Sequence, residues 1–251
     1  MYPSPLRQRW ATGGVTYNGW LTIPAPWPAE LLVEVGFESL TIDLQHGLID
    51  DPAALQILQT VDQRRCAALV RLAWNEPAAI MRALDRGAAG VIAPLISSPA
   101  DVVALVAACR YPPAGARSFG PIRVGVAHGA TDLAAISAVP LIFPMIETAA
   151  ALEQLPAIAD VAGISGLYVG PADLSLSRGL PLPVDFSSPT LRAALTAVAS
   201  ACAARGLIAG VYANVAAAAD LAALGYRLIT IVSDGDLIRQ GGAAALAAVP
   251  Q

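Results

Sequence analysis

Residues 40–47 read LTIDLQHG, a short apolar run that ends abruptly in polar side chains. The run of Leu, Thr and Ile is typical of a buried β-strand, yet it ends in Asp43, and His46 follows at once. A carboxylate in the middle of a buried strand is costly. At the carboxyl end of a strand it can face a ligand instead. The stretch therefore predicts a strand that ends at a functional edge.

Short apolar runs of this kind alternate with Ala/Leu-rich helical patterns along the chain. Eight of them predict strands at 15–23, 39–44, 67–72, 90–95, 140–146, 166–170, 207–212 and 227–232. The helical patterns between them include 52–61, 77–86, 99–109, 149–159, 189–205 and 215–224. Strands that alternate with helices predict a parallel sheet. Eight such units predict one (β/α)8 TIM barrel, with residues 1–251 forming a single domain.

The composition excludes several classes of function. The formal net charge is −4 and no Lys/Arg cluster is present, which argues against nucleic acid or an anionic membrane as a partner. No apolar run reaches the roughly 18 residues that span a bilayer, and the first residues lack a signal-peptide apolar core. We therefore expect a cytoplasmic protein. The three cysteines do not have the spacing of metal ligands. No G-x-G-x-x-G motif follows the first strand, so no nucleotide cofactor is expected.

The chain contains no lysine, so all 15 basic residues are arginine. A Schiff-base mechanism needs a lysine amine, and pyridoxal phosphate is held covalently by one. Neither is available to this protein. Enolate chemistry would require another electron sink, and a metal ion can provide it.

Polar side chains follow most of the predicted strands, where a TIM barrel places its active site. They are Asp43 and His46 after the second strand, Arg71 at the end of the third, Glu147 after the fifth, Asp173 after the sixth, Tyr212 and Asn214 at the seventh, and Asp234 at the eighth. Neighbouring strands lie about 4.8 Å apart. Glu147 and Asp173 are therefore expected to converge on one Mg²⁺ or Mn²⁺, with His46 beside Arg71.

The stretch GPAD, residues 170–173, joins the sixth strand to the start of a helix. Unpaired main-chain N–H groups after Gly170 are suited to bind a carboxylate. We expect the Ala172 and Asp173 amides to hold the carboxylate of a substrate.

Each of these residues also has a structural interpretation. Asp173 suits a helix cap, Glu147 suits a first-turn helix carboxylate, and Arg71 suits a structural ion pair. In the same way Asp43 suits a turn, and a lone histidine is more often structural than catalytic.

Two further polar residues are predicted to have structural places only. Asp234 is expected to cap the last helix. His128, in the long connection 111–133, is expected to be a surface or loop residue.

The stretches GFESLTIDLQHG, VRLAW, ALDRGAAGVIAPLISS, ACRYPPAGARSFG, PMIET and LYVGPADLSLSRG occur in the order found in the HpcH/HpaI aldolase family, which the chain resembles from about residue 19 to residue 236. Its type members are the 4-hydroxy-2-oxoheptanedioate aldolases, which are class II pyruvate aldolases. The resemblance implies a (β/α)8 barrel that assembles as a hexamer, a dimer of trimers, with the last helix exchanged between subunits.

The resemblance also implies roles for particular residues. Glu147 and Asp173 would bind the metal, Mg²⁺ or Mn²⁺ with Co²⁺ as a further candidate. Arg71 would hold the keto oxygen of pyruvate, and the Ala172 amide its carboxylate. His46, paired with Asp43, would move protons, and Asp85 would reach the site from an adjoining subunit. Gln45 and Met145 depart from the family pattern, which often has Glu and Gln at these places.

We therefore expect a metal-dependent aldolase that joins pyruvate or hydroxypyruvate to an aldehyde and cleaves 4-hydroxy-2-oxo acids. By position alone, Trp20, Tyr212 and the loop 111–125 would line the aldehyde pocket, although both aromatic residues equally suit plain packing. The alternatives are a carbon–carbon lyase acting on a CoA thioester, of the citrate lyase β-subunit or malyl-CoA type, and a barrel retained only as a binding module.

Overall fold

Eight parallel strands close into a barrel in the computed structural model, which describes residues 4–250. The strands pair in chain order, and β8 closes on β1. They are β1 Thr16–Leu21, β2 Ser39–Asp43, β3 Ala67–Arg71, β4 Gly90–Ala93, β5 Leu141–Ile146, β6 Gly166–Val169, β7 Ile208–Tyr212 and β8 Tyr226–Ser233. The predicted TIM barrel is confirmed.

Helices cover the outside of the barrel and close its amino-terminal end. They are α1 Pro5–Ala11, α2 Pro26–Glu34, α3 Asp51–Thr60, α4 Pro77–Asp85, α5 Pro99–Cys109, α6 Val124–His128, α7 Leu133–Ala138, α8 Ala149–Glu153, α9 Leu155–Ala159, α10 Pro171–Ser177, α11 Pro189–Ala203, α12 Val215–Leu224 and α13 Asp234–Ala248. The helix predicted over 149–159 is divided at Gln154, because Pro156 in the first turn of α9 has no N–H to continue the hydrogen bonding of α8. Within residues 4–250, no helix is long and apolar enough to cross a membrane.

The alternation of side chains along each strand decides which residues face the barrel interior. In β3, for example, Ala67 and Leu69 belong to the interior cluster, whereas Ala68 and Val70 pack outward against the helices. The same period places Arg71 on the inner side at the carboxyl end of β3. The inward-facing side chains are thus apolar along this strand and polar at its carboxyl end.

A buried polar layer lies within the barrel. Asn18 donates from Nδ2 to Thr230 Oγ1 at 2.7 Å and accepts hydrogen bonds from Ser39 and Thr41. The Tyr168 hydroxyl contacts Thr230 Oγ1 at 2.5 Å. All five residues are completely buried, so the hydrogen bonds between them compensate for the lost hydration.

Helix α1 closes the amino-terminal end of the barrel. Leu6 is fully buried in the interior cluster, and the Trp10 ring meets Phe143 edge to face at a centroid distance of 6.1 Å. The Trp10 indole N–H donates to the Arg227 carbonyl at 3.1 Å. Because α1 covers this end, the barrel interior is reached from its carboxyl-terminal end.

Two of the structural expectations are wrong. His128 is buried at the end of α6, and its Nε2 lies 2.9 Å from the Gly87 carbonyl, because α6 folds back onto the α4–β4 connection. Asp234 does not cap α13, since Ser233 does so by accepting from the Asp236 N–H. The Asp234 carboxylate instead accepts from the Thr22 and Ile23 main-chain N–H groups, which joins the ends of β1 and β8.

Candidate active site

A pocket of about 470 Å³ opens at the carboxyl ends of the strands. It is lined by nearly all of the predicted site residues, namely Trp20, Asp43, His46, Arg71, Glu147, Gly170, Ala172, Asp173 and Tyr212. The predicted convergence of the strand ends is therefore present in the structure. Asp85 is the one predicted site residue that does not line this pocket.

Arg71 and Asp43 form a buried ion pair at the base of the pocket. The Arg71 guanidinium donates from Nε to Asp43 Oδ1 at 2.8 Å and from Nη2 to Oδ2 at 2.6 Å. The Trp20 ring lies 4.9 Å from the guanidinium carbon, and its N–H donates to Asp43 Oδ2. Burial alone would raise the pKa of Asp43, but the Arg71 contacts prevail and lower it. The pair is bidentate, which holds the plane of the guanidinium in one orientation.

The arrangement of His46 differs from the expectation. Asp43 Oδ1 accepts from the His46 main-chain N–H at 3.3 Å, not from its imidazole. Asp43 also accepts from the Arg71 guanidinium, the Trp20 indole and the Gln45 main-chain N–H, and within residues 4–250 no hydrogen bond joins it to the imidazole. The His46 side chain is solvent-exposed at the rim of the pocket.

Glu147 lies directly after β5 and is almost completely buried, with an exposed fraction of 2%. Its Oε1 accepts the Leu95 main-chain N–H at 2.5 Å. Leu95 has a φ of 54°, in the left-handed region that non-glycine residues rarely adopt. Burial raises the pKa of Glu147, and the nearby Asp173 carboxylate raises it further. The structural alternative for Glu147 is wrong, since α8 begins only at Ala149.

Gly170 is required beside Glu147 for a steric reason. A Cβ at this position would lie 2.4 Å from Glu147 Oε2 and 2.9 Å from Met145 Cε. Any side chain here would displace the carboxylate. The glycine of the GPAD stretch therefore makes room for Glu147.

Asp173 lies in the first turn of α10, and it makes no side-chain capping bond there. Within the described residues, neither its carboxylate nor Glu147 Oε2 has a protein hydrogen-bond donor, and both residues line the pocket. Two neighbouring carboxylates with unused oxygens suit a hard divalent cation whose remaining positions go to water or substrate oxygens. Within residues 4–250, no group of three or more His, Cys, Asp and Glu side chains forms a metal cage. The donor set fits a metal bound by two protein carboxylates.

Asp85 and the loop 111–125 lie away from the pocket of their own chain. Asp85 ends α4 and pairs with the buried Arg117 at 2.6 Å, and Arg117 in turn lies 4.6 Å from the Tyr111 ring centre. The expectation that this loop lines the aldehyde pocket is wrong for the same chain. The loop lies between α5, which carries the chain back along the outside of the barrel, and the start of β5, so it belongs to the amino-terminal end.

Sequence reasoning missed one wall of the pocket. This wall includes three residues of the connection between α10 and α11, namely Pro183, Val184 and Phe186. The pocket is also lined by Thr22, which follows β1, and by Ser233, which ends β8. The proline-rich stretch LPLPVDF, residues 180–186, was the available signal, because it follows a strand and its helix on the functional side. Trp20 and Tyr212 meet edge to face at 5.1 Å and also line the pocket.

Comparison with known proteins agrees with this geometry. The profile of the HpcH/HpaI aldolase/citrate lyase family matches residues 20–241. The chain belongs to this family.

Two relatives and one solved structure illustrate the HpcH/HpaI membership. The hydroxypyruvate/pyruvate aldolase of Rhizorhabdus wittichii is 34% identical over 207 residues, which cover 82% of each chain. The 4-hydroxy-2-oxo-heptane-1,7-dioate aldolase of Salmonella dublin is 33% identical over 239 residues, 91% of this chain and 88% of the relative. A crystal structure of a family protein from Burkholderia cenocepacia superposes with a TM-score of 0.88 at 30% identity, covering 98% of both chains.

The citrate lyase branch of the HpcH/HpaI family is more distant in structure. The citrate lyase β-subunit of M. tuberculosis has a TM-score of 0.60 and 16% identity, which shows a shared fold alone.

Proposed function

We propose that this protein is a divalent-metal-dependent class II aldolase, which adds the enolate of pyruvate or hydroxypyruvate to an aldehyde and cleaves 4-hydroxy-2-oxo acids in reverse. One observation carries the proposal. An oriented guanidinium, from Arg71, and two carboxylates without protein donors, from Glu147 and Asp173, line the same pocket. The names of the relatives support the same reaction class.

Glu147 and Asp173 would hold the metal, Mg²⁺ or Mn²⁺ with Co²⁺ as a further candidate. When bound, the cation supplies Lewis acidity that polarises the carbonyl of the oxo acid. The Glu147 carboxylate is suited to this role because its position is fixed by the Leu95 N–H and by the space above Gly170. Neutralising both carboxylates would also remove the repulsion that raises the pKa of Glu147.

Arg71 stabilises the charge that develops on the keto oxygen. Asp43 uses Nε and one N–H of Nη2, and within the described residues Nη1 has no protein acceptor. A guanidinium carries five N–H donors, so donors remain for a substrate oxygen. Because Asp43 and Trp20 hold the group in place, little reorganisation is needed as the charge forms. The Ala172 amide would bind the substrate carboxylate, and its position in the first turn of α10, beside the pocket, supports this role.

His46 transfers the proton. In the synthetic direction a base takes a proton from the pyruvate methyl group, the new carbon–carbon bond forms at that carbon, and the aldehyde oxygen gains a proton. In cleavage the base takes the proton from the 4-hydroxyl group. His46 stands at the pocket rim, and its main-chain contact with Asp43 fixes the backbone that carries the imidazole.

We infer that the aldehyde lies against the apolar residues that line the pocket. They are Trp20, Tyr212, Pro183, Val184 and Phe186. A CoA thioester fits this pocket poorly, since Arg71 is the only arginine that lines it among residues 4–250 and CoA phosphates call for several cations.

The subunit arrangement is part of the proposal. We infer a hexamer, a dimer of trimers, in which α13 packs on a neighbour and Asp85 reaches the neighbour's pocket. Within α13 only Asp234 is buried in the isolated chain, while Ile238 and Leu246 are 63% and 75% exposed. Apolar side chains on a helix with so little cover support an exchange between subunits.

The test is proton exchange, because it needs no knowledge of the aldehyde. Pyruvate is incubated with the enzyme in D₂O, and loss of the methyl proton signal is followed by NMR with chelated enzyme and after Mg²⁺ or Mn²⁺ is restored. We expect metal-dependent exchange that is lost in Glu147→Gln and retained in Glu153→Gln, a matched change at an exposed residue of α8. Absence of exchange in folded, metal-loaded protein would remove pyruvate as the nucleophile.

A further inference from the structure

A second cleft lies at the opposite end of the barrel from the candidate active site. Its volume is about 510 Å³, and it lies between α1 and the starts of β5 and β7. The lining residues are Arg7, Trp10, Ala11, Arg110, Leu141, Gly163, Ile164, Ser165, Gly206, Leu207 and Ile208. They include two arginines and no acidic residue, in a chain whose formal net charge is −4.

The two arginines of this cleft have no acidic partner within residues 4–250. Arg7 Nη2 donates to the Ala138 and Pro140 carbonyls at 3.2 and 3.5 Å. Arg110 donates from Nη1 to the Ser137 carbonyl at 2.5 Å and from Nη2 to the Gly163 carbonyl at 3.3 Å. By contrast, the exposed Arg205 nearby is paired with Asp160 at 2.6 Å. Burial and the proximity of Arg110 lower the pKa of Arg7, so this charge is held in place at a cost.

The hydrogen bonds to main-chain carbonyls use only some of the N–H groups of Arg7 and Arg110. Carbonyls at the ends of helices and loops attract cations, which explains why the guanidiniums lie here. Arg7 Nε, however, is buried and has no hydrogen-bond partner within the described residues. A buried donor without an acceptor destabilises the fold, because it has lost its hydration and gained nothing in return. Arg7 Nη1 also has no protein acceptor within residues 4–250, so its N–H groups remain for a ligand in the cleft.

Ser165 adds a neutral donor to the same cleft. Its Oγ accepts a hydrogen bond from the Ile142 main-chain N–H at 3.1 Å. This bond uses a lone pair of the oxygen, so the hydroxyl hydrogen is still able to donate. No protein acceptor for that hydrogen is present in residues 4–250. Two guanidiniums and a hydroxyl thus line one cleft beside the apolar walls formed by Trp10 and Leu207.

We propose that this cleft binds a small tetrahedral oxyanion, a phosphate carried either free or on a monophosphate ester, through Arg7, Arg110 and Ser165. Arginine suits such a ligand because several N–H groups can meet several oxygens at once. The site stands apart from the proposed aldolase chemistry, since it lies at the starts of the strands whose ends form the active pocket. Its ligand would bind irrespective of the metal.

In the experiment, metal-free protein is titrated with inorganic phosphate at an ionic strength held constant with sodium chloride. Binding is measured by calorimetry or by broadening of the ³¹P NMR line. Wild-type protein should bind one phosphate per chain saturably. Glycerol phosphate as a second ligand distinguishes the two sources: comparable binding assigns an ester, and weaker binding assigns free phosphate.

Matched variants locate the binding. Ala11 ends α1, is exposed and lines the cleft, so Ala11→Glu adds a carboxylate without removing any packed group. We expect a loss of affinity of about tenfold or more in Ala11→Glu, through like-charge repulsion, and less than about threefold in Ala11→Gln. Arg110→Gln should weaken binding as Ala11→Glu does. Phosphate that fails to saturate wild-type protein, or that binds wild-type and Ala11→Glu protein equally, would overturn the proposal.

Discussion

At the scale of single residues, the site depends on how closely Gly170 approaches Glu147. A Cβ on residue 170 would come within 2.4 Å of Glu147 Oε2, and Met145 closes the other side. The carboxylate cannot move toward Leu95 either, because that N–H already contacts Oε1 at 2.5 Å. The Glu147 carboxylate therefore has little room to move.

The first prediction follows from this contact. Gly170→Ala should leave the protein folded but weaken Mn²⁺ binding by about tenfold or more, since the carboxylate is displaced from its position. Metal affinity is measured by calorimetry, and pyruvate proton exchange should fall with it. Gly242→Ala, where a Cβ meets nothing within 4 Å, is the control and should bind metal normally. Unchanged metal affinity in Gly170→Ala would show that Glu147 is not held as described.

At the scale of elements, α6 is attached to the barrel through a buried imidazole. His128 is 6% exposed, and burial lowers its pKa from 6.5 to about 4, despite hydrogen bonds to the main chain that act in the opposite direction. The unfolded chain therefore binds a proton on this residue at a pH where the folded chain does not. The free energy of unfolding falls as pH drops from about 6.5 to about 4 and is unaffected by this residue above that window.

The second prediction is a smaller pH dependence in His128→Gln. Its side-chain amide can still donate to the Gly87 carbonyl but does not titrate. Between about pH 7 and pH 4, wild-type protein should lose on the order of 2–3 kcal/mol more stability than the variant. Urea unfolding at both pH values measures the difference. Parallel pH profiles for the two proteins would show that His128 does not resist protonation in the fold.

The sequence predicted the strands well because each is a short apolar run bounded by polar or turn residues. It also predicted that Asp43, Arg71 and Glu147 lie at one end, since parallel strands share the direction in which they end. It could not predict which partner Asp43 selects. His46 is three residues away and Arg71 lies one strand away, and only the register of β2 against β3, which sets Asp43 opposite Arg71, decides between them.

The long connection 111–133 shows a second reason for failure. Its Pro, Gly and Arg content indicated function, but composition does not tell which end of a barrel a loop occupies. Counting elements does so here, since the connection runs from α5, the helix that follows β4, to the start of β5, and the strands start at the amino-terminal end. Asp85 and Arg117 pair at that end, so their position follows from topology and not from residue type.

At the scale of the whole molecule, the exposed apolar side chains of α13 are the basis of the proposed exchange of this helix between subunits. Helix α13 spans Asp234–Ala248 and covers little of its own barrel beyond the first turn.

The third prediction concerns this helix. Ile238→Glu should lower the oligomeric state measured by light scattering, because a charge would replace the apolar side chain in the proposed contact with a neighbour. Gln240→Glu, an exposed position two residues later, should leave assembly unchanged. Assembly that survives Ile238→Glu would argue against exchange of α13.

The polar layer formed by Asn18, Ser39, Thr41, Tyr168 and Thr230 has a consequence for how this enzyme can diversify. Each member is committed to another by hydrogen bonds inside the barrel, so changing one leaves others without a partner. In the α10–α11 connection, the pocket-lining residues Val184 and Phe186 pack against the hydrophobic core through apolar side chains that need no hydrogen-bond partner. We therefore expect substitutions in residues 178–188 to change the preferred aldehyde at a smaller cost in stability than substitutions in the strands.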